Sequence, residues 1–416
     1  MHDSPSPPRR SLFSRRTSWN TSESEWSVAL ADRRARQLPL HDLTIANPTD
    51  CGFIYDPHLL DALANPAALR YVADPFGLPP ARAAVCDYYR DHQKLIDQNA
   101  SLEIHPRQVI LTASTSEAYS FLFRLLCDPG DEVLIAQPSY PLFDFLADLD
   151  DVRLVPYPVF YDHGWHLDLH SLRERITDRT RAIVIVHPNN PTGHFTLAQD
   201  RQELEQLAVQ HELALIVDEV FLDYSFDKPA RGFALGRHPA LTFVLSGLSK
   251  VAGLPQMKLA WIAAFGPPEI LHSALARLEV IADTFLSVGS PVQHALAPWL
   301  SARHAMQRQI ARRVAENLDF LDRALQLNPA INRLQVEGGW YAVLRVPALA
   351  SDEATAVRLL RQCGLLVHPG SFFGMQESGL LVISLLPSPA TFAIAIEALV
   401  AGSGIDSINS EPGPFT

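Results

Sequence analysis

The sequence predicts an α/β fold: a mostly parallel, seven-stranded sheet flanked by helices, joined to a smaller α+β domain. Short β-branched runs alternate with amphipathic stretches from about residue 104 onward, the pattern of strands linked by helical crossovers. The 416 residues exceed what one compact core organises, so two domains are expected. An apolar fraction of 47% with 19% charged residues is an ordinary globular balance.

Residues 1–39 begin with a Ser-, Pro- and Arg-rich stretch that has no apolar h-region, and a flexible arm is expected there. The strands of the sheet are expected at residues 109–112, 132–136, 152–156, 182–187, 214–218, 242–246 and 259–264, with helices such as 116–126 and 200–211 between them. Loops at the carboxyl ends of such strands carry the chemistry. Residues 301–327 keep helical spacing without Gly or Pro and predict a long helix. Strand-like runs at 340–346, 365–367 and 380–386 alternate with helices at 352–362 and 389–400, an α+β pattern. The expected division is therefore a large domain over 51–300, a small domain from 40–50 and 301–401, and a disordered tail over 402–416.

A formal net charge of −12 argues against a nucleic-acid partner, which needs clustered positive charge to displace counterions. No apolar run approaches the roughly 20 residues that span a bilayer, so no membrane partner is expected. Cys51, Cys86, Cys127 and Cys363 show neither C-x-x-C spacing nor the density of a disulfide scaffold. No metal site is expected, and the scattered cysteines fit a reducing, cytoplasmic location.

The most informative stretch is Ser246-Gly247-Leu248-Ser249-Lys250, just after a strand. A lysine in a loop of small and apolar residues is partly desolvated, which lowers its pKa toward that of an amine nucleophile. Alone it would pass for a surface lysine. Asn190 sits in a Pro-flanked turn after the 182–187 strand, and Asp218 closes the 214–218 strand. Singly, these read as an Asx turn and a helix N-cap. Their combination with Lys250, all at strand ends, is not explained that way, because a buried carboxylate needs a cationic partner.

Asn190-Pro191-Thr192-Gly193, Asp218-Glu219-Val220 and Ser249-Lys250 together resemble the class I/II aminotransferases, the fold-type I enzymes of pyridoxal 5′-phosphate (PLP), in a divergent bacterial-type subgroup. The resemblance runs from about Leu40 to Leu399 and implies a homodimer with shared active sites. It implies that Lys250 holds PLP as a Schiff base and shuttles the proton, and that Asp218 pairs with the pyridine nitrogen. Asn190 would bond the ring O3′, and Tyr140 would stack on the ring. Thr115 and Ser116, opening a helix, would bind the phosphate, with Ser249 and Ser246 adding hydroxyls. Tyr71 matches the tyrosine that reaches the neighbouring subunit's phosphate.

Three departures from the family pattern stand out. Lys258 occupies the place of the phosphate-binding arginine and brings charge without the bidentate fork. Phe221 replaces a tyrosine that would donate to O3′, which predicts a raised pKa for the internal aldimine. Val382 stands where an arginine would clamp the substrate carboxylate, and no Lys or Arg follows Arg361. Either the substrate is not a standard α-amino acid or its carboxylate is met elsewhere, with His368 as a candidate.

The resulting expectation is a PLP-dependent aminotransferase moving an amino group from an amino donor to a keto acid or other carbonyl acceptor. The alternative is a lyase or decarboxylase on the same scaffold, which would share every cofactor residue. A PLP-binding regulator of this fold carries an N-terminal DNA-binding domain, which the irregular residues before Leu40 are not expected to form.

Overall fold

The structure, a computed structural model, describes residues 12–99 and 102–402. A short strand, β1 (His41–Asp42), precedes the main sheet of β2 (Val109–Thr112), β3 (Glu132–Gln137), β4 (Arg153–Tyr161), β5 (Trp165–Leu167), β6 (Thr180–Val186), β7 (Ala214–Asp218), β8 (Thr242–Gly247) and β9 (Ala260–Phe265). Their spatial order is β2-β9-β8-β7-β6-β3-β4-β5. The β4, β3, β6, β7 and β8 strands run parallel, while β9 is antiparallel to both of its neighbours and β5 to β4.

The sheet thus has eight strands where seven are expected. The additional one, β5, is a three-residue hairpin partner of β4. It is too short to show a period of two. The β4 strand also continues through Pro156 and Pro158 to Tyr161, beyond the expected end at 156. Proline is compatible with a strand at this margin of the sheet, where fewer ladder bonds are demanded.

The helices in chain order are α1 (Glu25–Ala35), α2 (Pro79–Ile96), α3 (Thr115–Leu126), α4 (Leu142–Leu149), α5 (Leu169–Glu174), α6 (Ala198–Gln210), α7 (Leu248–Val251), α8 (Pro268–Phe285), α9 (Ser290–Leu325), α10 (Asp352–Cys363) and α11 (Pro389–Gly402). Strand alternation sends side chains to two separate cores. Leu215 and Val217 of β7 join Val244, Trp261 and residues of α2 on one face. Ala214 and Ile216 join Phe243, Leu245 and residues of α3 and α8 on the other. Full burial of each such large apolar side chain stabilises by about 1.5–3 kcal/mol. A central parallel strand must be apolar on both faces for this reason, and β6 and β7 are.

A four-stranded antiparallel sheet follows, from β10 (Asn332–Arg333), β11 (Tyr341–Arg345), β13 (His368–Pro369) and β14 (Leu380–Ser384), in the order β10-β11-β14-β13. The remaining strand, β12 (Leu365–Leu366), pairs in parallel with β1, and Leu43 accepts a hydrogen bond from the Ser384 N–H at 2.6 Å. The α9 helix, 36 residues long, spans about 54 Å. Its Trp299 and Leu300 pack in the first core, and its Ile310, Val314 and Leu321 in the core of the small sheet.

Two expectations are corrected. The long helix starts at Ser290 instead of 301, because Pro291 occupies the first turn, where a missing N–H costs nothing, and Pro298 is carried inside the helix. The expected flexible arm contains α1, capped by Ser24, whose side chain accepts from the Ser27 N–H. Ala29 of α1 is buried against Val357, Leu360 and Leu366, and Trp26 packs beside them. The apolar stripe of α1 is narrow, so composition hides it. Residues 1–11 and 403–416, the rest of the expected arm and tail, lie outside the described residues, and Gly402 closes α11.

Candidate active site

Loops at the carboxyl ends of β2, β3, β6, β7 and β8 converge on one cavity of about 340 Å³. The antiparallel β9 enters the sheet at the same end, so its first residue, Ala260, also lines the cavity. Ala46 and Tyr341 close it from the side of the small sheet.

Asp218 is the last residue of β7 and shares the α3 face with Ile216. It is 7% exposed, accepts the Val220 N–H at 3.1 Å and accepts the Tyr119 hydroxyl at 3.2 Å. Desolvation pushes its pKa up to about 6, against the pull of these two hydrogen bonds and Lys250. A buried carboxylate in that state gains from a protonated nitrogen brought alongside it.

Lys250 follows β8 on the single turn of α7 and is half-buried at the cavity wall. Desolvation lowers its pKa, with Asp218 opposing. Its Nζ lies 5.2 Å from the Trp340 ring and 5.9 Å from that of Phe221, so mainly aromatic carbon surrounds it. The Tyr224 hydroxyl donates to the Lys250 carbonyl at 2.7 Å and fixes the turn that carries it. Gly247, just before α7, has no room for a side chain, since a Cβ there would stand 2.8 Å from that of Ala260.

Asn190 is positioned by a turn in which Gly193 adopts φ +70°, and a Cβ at Gly193 would collide with the Gly338 carbonyl and Val336. The buried Oδ1 of Asn190 has no hydrogen-bond partner within the protein. At the start of α3, Ser114 caps the helix by accepting from the Glu117 N–H at 3.1 Å, while Thr115 and Ser116 line the cavity. A helix start of this kind presents free N–H groups and positive dipole to an anion.

Lys250, Asp218, Asn190, Tyr140, Thr115, Ser116 and Ser249 are therefore brought to one cavity. Four other expected residues are not. Ser246 precedes Lys250 by four residues, but alternation along β8 puts it on the face of Val244, opposite to Leu245 and Asp218, and its hydroxyl is buried without a partner. Lys258 is exposed in a turn with φ +49° and lies outside the cavity lining. Tyr71 is 76% exposed and lines a different cleft, beside Asp74 and Ser287. His368 is stacked on Phe372 at 5.2 Å, with Trp26 at 6.4 Å, and burial lowers its pKa to about 4. The imidazole is held among aromatic rings, outside the cavity lining.

Sequence reasoning missed Tyr119 and Tyr341. Tyr119 had a signal: it lies four residues after Thr115, hence on the same helix face. Tyr341 had none, because its place depends on how the small sheet meets the large one. Val382 is fully buried with Val343, Phe373 and Leu380, so β14 brings no cation to the cavity.

Residues with the right chemistry for PLP are thus present: an amine, an unpaired amide oxygen, a desolvated carboxylate and a helix start. Among the described residues, no cluster of three or more His, Cys, Asp or Glu is placed to hold a metal ion. No helix among them is long and apolar enough to cross a membrane.

Comparison with known proteins identifies the family. The family described as aminotransferase class I and II matches residues 54–399. An alanine aminotransferase of Mycobacterium tuberculosis is 29% identical over 366 residues, covering 86% of this chain and 84% of its own. A glutamate-pyruvate aminotransferase of Escherichia coli is 26% identical over 339 residues, covering 80% and 82%. Among solved structures, alanine aminotransferase from Pyrococcus furiosus superposes with a TM-score of 0.81 at 24% identity, covering 91% of this chain and 95% of that one. A double mutant of Thermus thermophilus aspartate aminotransferase gives 0.80 at 22%, covering 94% and 100%. These two likenesses show the fold, and the family match extends from there to the activity. The chain belongs to the class I and II aminotransferases and is a PLP-dependent enzyme that transfers amino groups.

Proposed function

We propose that the cavity around Lys250 is where this aminotransferase binds PLP and its substrates, with Lys250 and Asp218 as its catalytic residues. The observation that carries this is a desolvated lysine and a desolvated carboxylate sharing one cavity with an unpaired Asn190 amide. Bound there, PLP supplies an electron-accepting ring that stabilises negative charge at the donor's α-carbon.

The protein's own groups do the rest. Burial raises the neutral fraction of Lys250, so Nζ is available as the amine that condenses with the cofactor's aldehyde. Once displaced by a donor amine, the same Nζ would be placed to carry a proton between the donor's α-carbon and the cofactor. Asp218 would hold a proton on the ring nitrogen, and Tyr119 holds Asp218 in place through a 3.2 Å hydrogen bond. The Asn190 amide would orient the ring through O3′. Thr115 and Ser116 at the start of α3, with Ser249, would hold the phosphate. Tyr140, 41% exposed, covers the ring, and Phe143 packs edge-on to it at 6.0 Å, excluding water.

A homodimer completes this reading. Tyr71 would cross to the partner's phosphate, and exposed Ile54, Leu60 and Leu69 nearby in sequence would be covered. Residues 51–300 would act as the large domain and 40–50 with 301–401 as the small one. The four free cysteines fit a cytoplasmic location.

Half-reaction spectroscopy tests the assignment. With an accepted donor and no carbonyl acceptor, bound PLP is expected to convert stoichiometrically to pyridoxamine phosphate, and Lys250→Ala is expected to abolish the conversion. A lyase or decarboxylase would return PLP unchanged. A variant lacking Lys250 that still turned over would remove this cavity as the site.

A further inference from the structure

The charge inventory of the cavity bears on what it accepts. Among the described residues that line it, Lys250 is the one basic side chain and Asp218 the one carboxyl group. Both are committed under the reading above, the lysine to PLP and the proton shuttle, the aspartate to the ring nitrogen. What remains of the wall is hydroxyl, phenol, amide and hydrocarbon. Phe143 and Leu146 from α4 face Val220, Phe221 and Tyr341 across it.

Arg124, on the α3 helix that supplies Thr115 and Ser116, pairs with Asp150 at 2.8 Å. The β14 strand is buried and apolar from Leu380 to Ile383, and the chain has no Lys or Arg after Arg361. The phenols of Tyr140 and Tyr341 report the same surroundings. Burial holds both pKa values up, and Asp218 pushes that of Tyr140 in the same direction. A carboxylate entering here would lose its water without meeting a counter-charge from this chain's own lining.

We propose that the amino donor of this enzyme is a primary amine with an apolar substituent and no carboxylate on the amine-bearing carbon, an inference that rests on the aminotransferase reading of the cavity. The half-reaction balances as R–CH2–NH2 with the cofactor aldehyde giving R–CHO and pyridoxamine phosphate. The substrate C–N bond breaks as one forms at the cofactor. The substrate carbon is oxidised by two electrons and the cofactor carbon reduced by two, one proton passing between them through Lys250. The water released on condensation is consumed on hydrolysis. The hydrocarbon wall of Phe143, Leu146, Val220 and Phe221 receives R.

Matched donors differing only by the carboxylate test this on the wild-type PLP-loaded enzyme: 2-phenylethylamine against L-phenylalanine, and isobutylamine against L-valine, with L-alanine and L-glutamate alongside. The readout is kcat/KM for conversion of bound PLP to pyridoxamine phosphate. An uncompensated buried charge predicts a preference of about tenfold or more for the amine of at least one pair, with L-alanine and L-glutamate slower than that amine. A smaller preference, or faster conversion by any of the amino acids, overturns the inference while leaving the enzyme an aminotransferase. Conversion by neither class, in protein shown to hold PLP, removes the reading of the cavity on which the inference rests.

Discussion

At the scale of single residues, Lys250, Asp218 and Asn190 were legible because each closes or closely follows a strand whose apolar run is itself legible, and the order of the three along the chain carries information that none carries alone. Ser246 and His368 lie outside the cavity lining, because proximity in sequence says nothing about the face of a strand or the stacking of rings. The same residues set the sharpest mutational expectations. Lys250→Ala should reduce turnover by about 10⁴-fold or more, since it removes both the amine and the proton carrier. Asp218→Asn should cost on the order of 10²–10³ in kcat with PLP still bound, because it removes fixed charge beside the ring nitrogen and not the binding surface. Full activity of either variant in steady-state assays would contradict those roles. Phe221→Tyr tests a finer point. Phe221 lines the cavity 5.9 Å from the lysine Nζ. A hydroxyl there would donate to O3′, stabilise its anion and let the shared proton leave at lower pH. The spectroscopic pH midpoint of the cofactor–lysine linkage should therefore fall by about one unit or more, whereas an unchanged or raised midpoint would show that Phe221 does not govern it.

Whole elements were readable where periodicity runs long enough. The strands expected from 109 to 264 exist, and the central β3, β6, β7 and β8 leave the strongest mark because they are buried and apolar on both faces. The three-residue β5 leaves none, and α9 is longer than the Gly- and Pro-free run at 301–327 because it carries Pro298 inside it. The α1 helix was hidden by charged residues on its exposed side. Its segment nevertheless ties two parts of the molecule together. Trp19 meets Phe145 of α4 edge-on at 5.3 Å and donates to Asp148 at 2.8 Å, and seven residues later Trp26 donates to the Val367 carbonyl at 3.3 Å beside His368. Trp26→Ala should lower stability by about 1–2 kcal/mol, a part of the cost of emptying a fully buried tryptophan site, because the ring is only half-buried. Urea unfolding would measure it. No loss, together with fast hydrogen exchange over Glu25–Ala35, would return the segment to a flexible arm.

On the scale of the molecule, the fold class followed from the alternation of strands and helices, but how the two sheets close on each other did not. Ala46 and Tyr341 enter the cavity only through that closure, which no local pattern encodes. A second closure, between the subunits of the proposed dimer, would give Tyr71 its place. Its ring is 76% exposed and faces a cleft apart from the Lys250 cavity, so within one chain it does no visible work. If it completes the partner's phosphate site, Tyr71→Ala should weaken PLP binding by about tenfold, the loss of one hydrogen bond to a charged group. Mixing separates this from a local effect. In a hybrid of a Tyr71→Ala subunit with a Lys250→Ala subunit, one site receives the intact lysine from the first and the intact tyrosine from the second, and the other site receives neither. At PLP concentrations too low to saturate Tyr71→Ala, the hybrid should regain about half the activity of a wild-type dimer, since one site of two is whole. Hybrids no more active than the two parent variants combined would confine Tyr71 to its own chain and leave each subunit a self-sufficient enzyme.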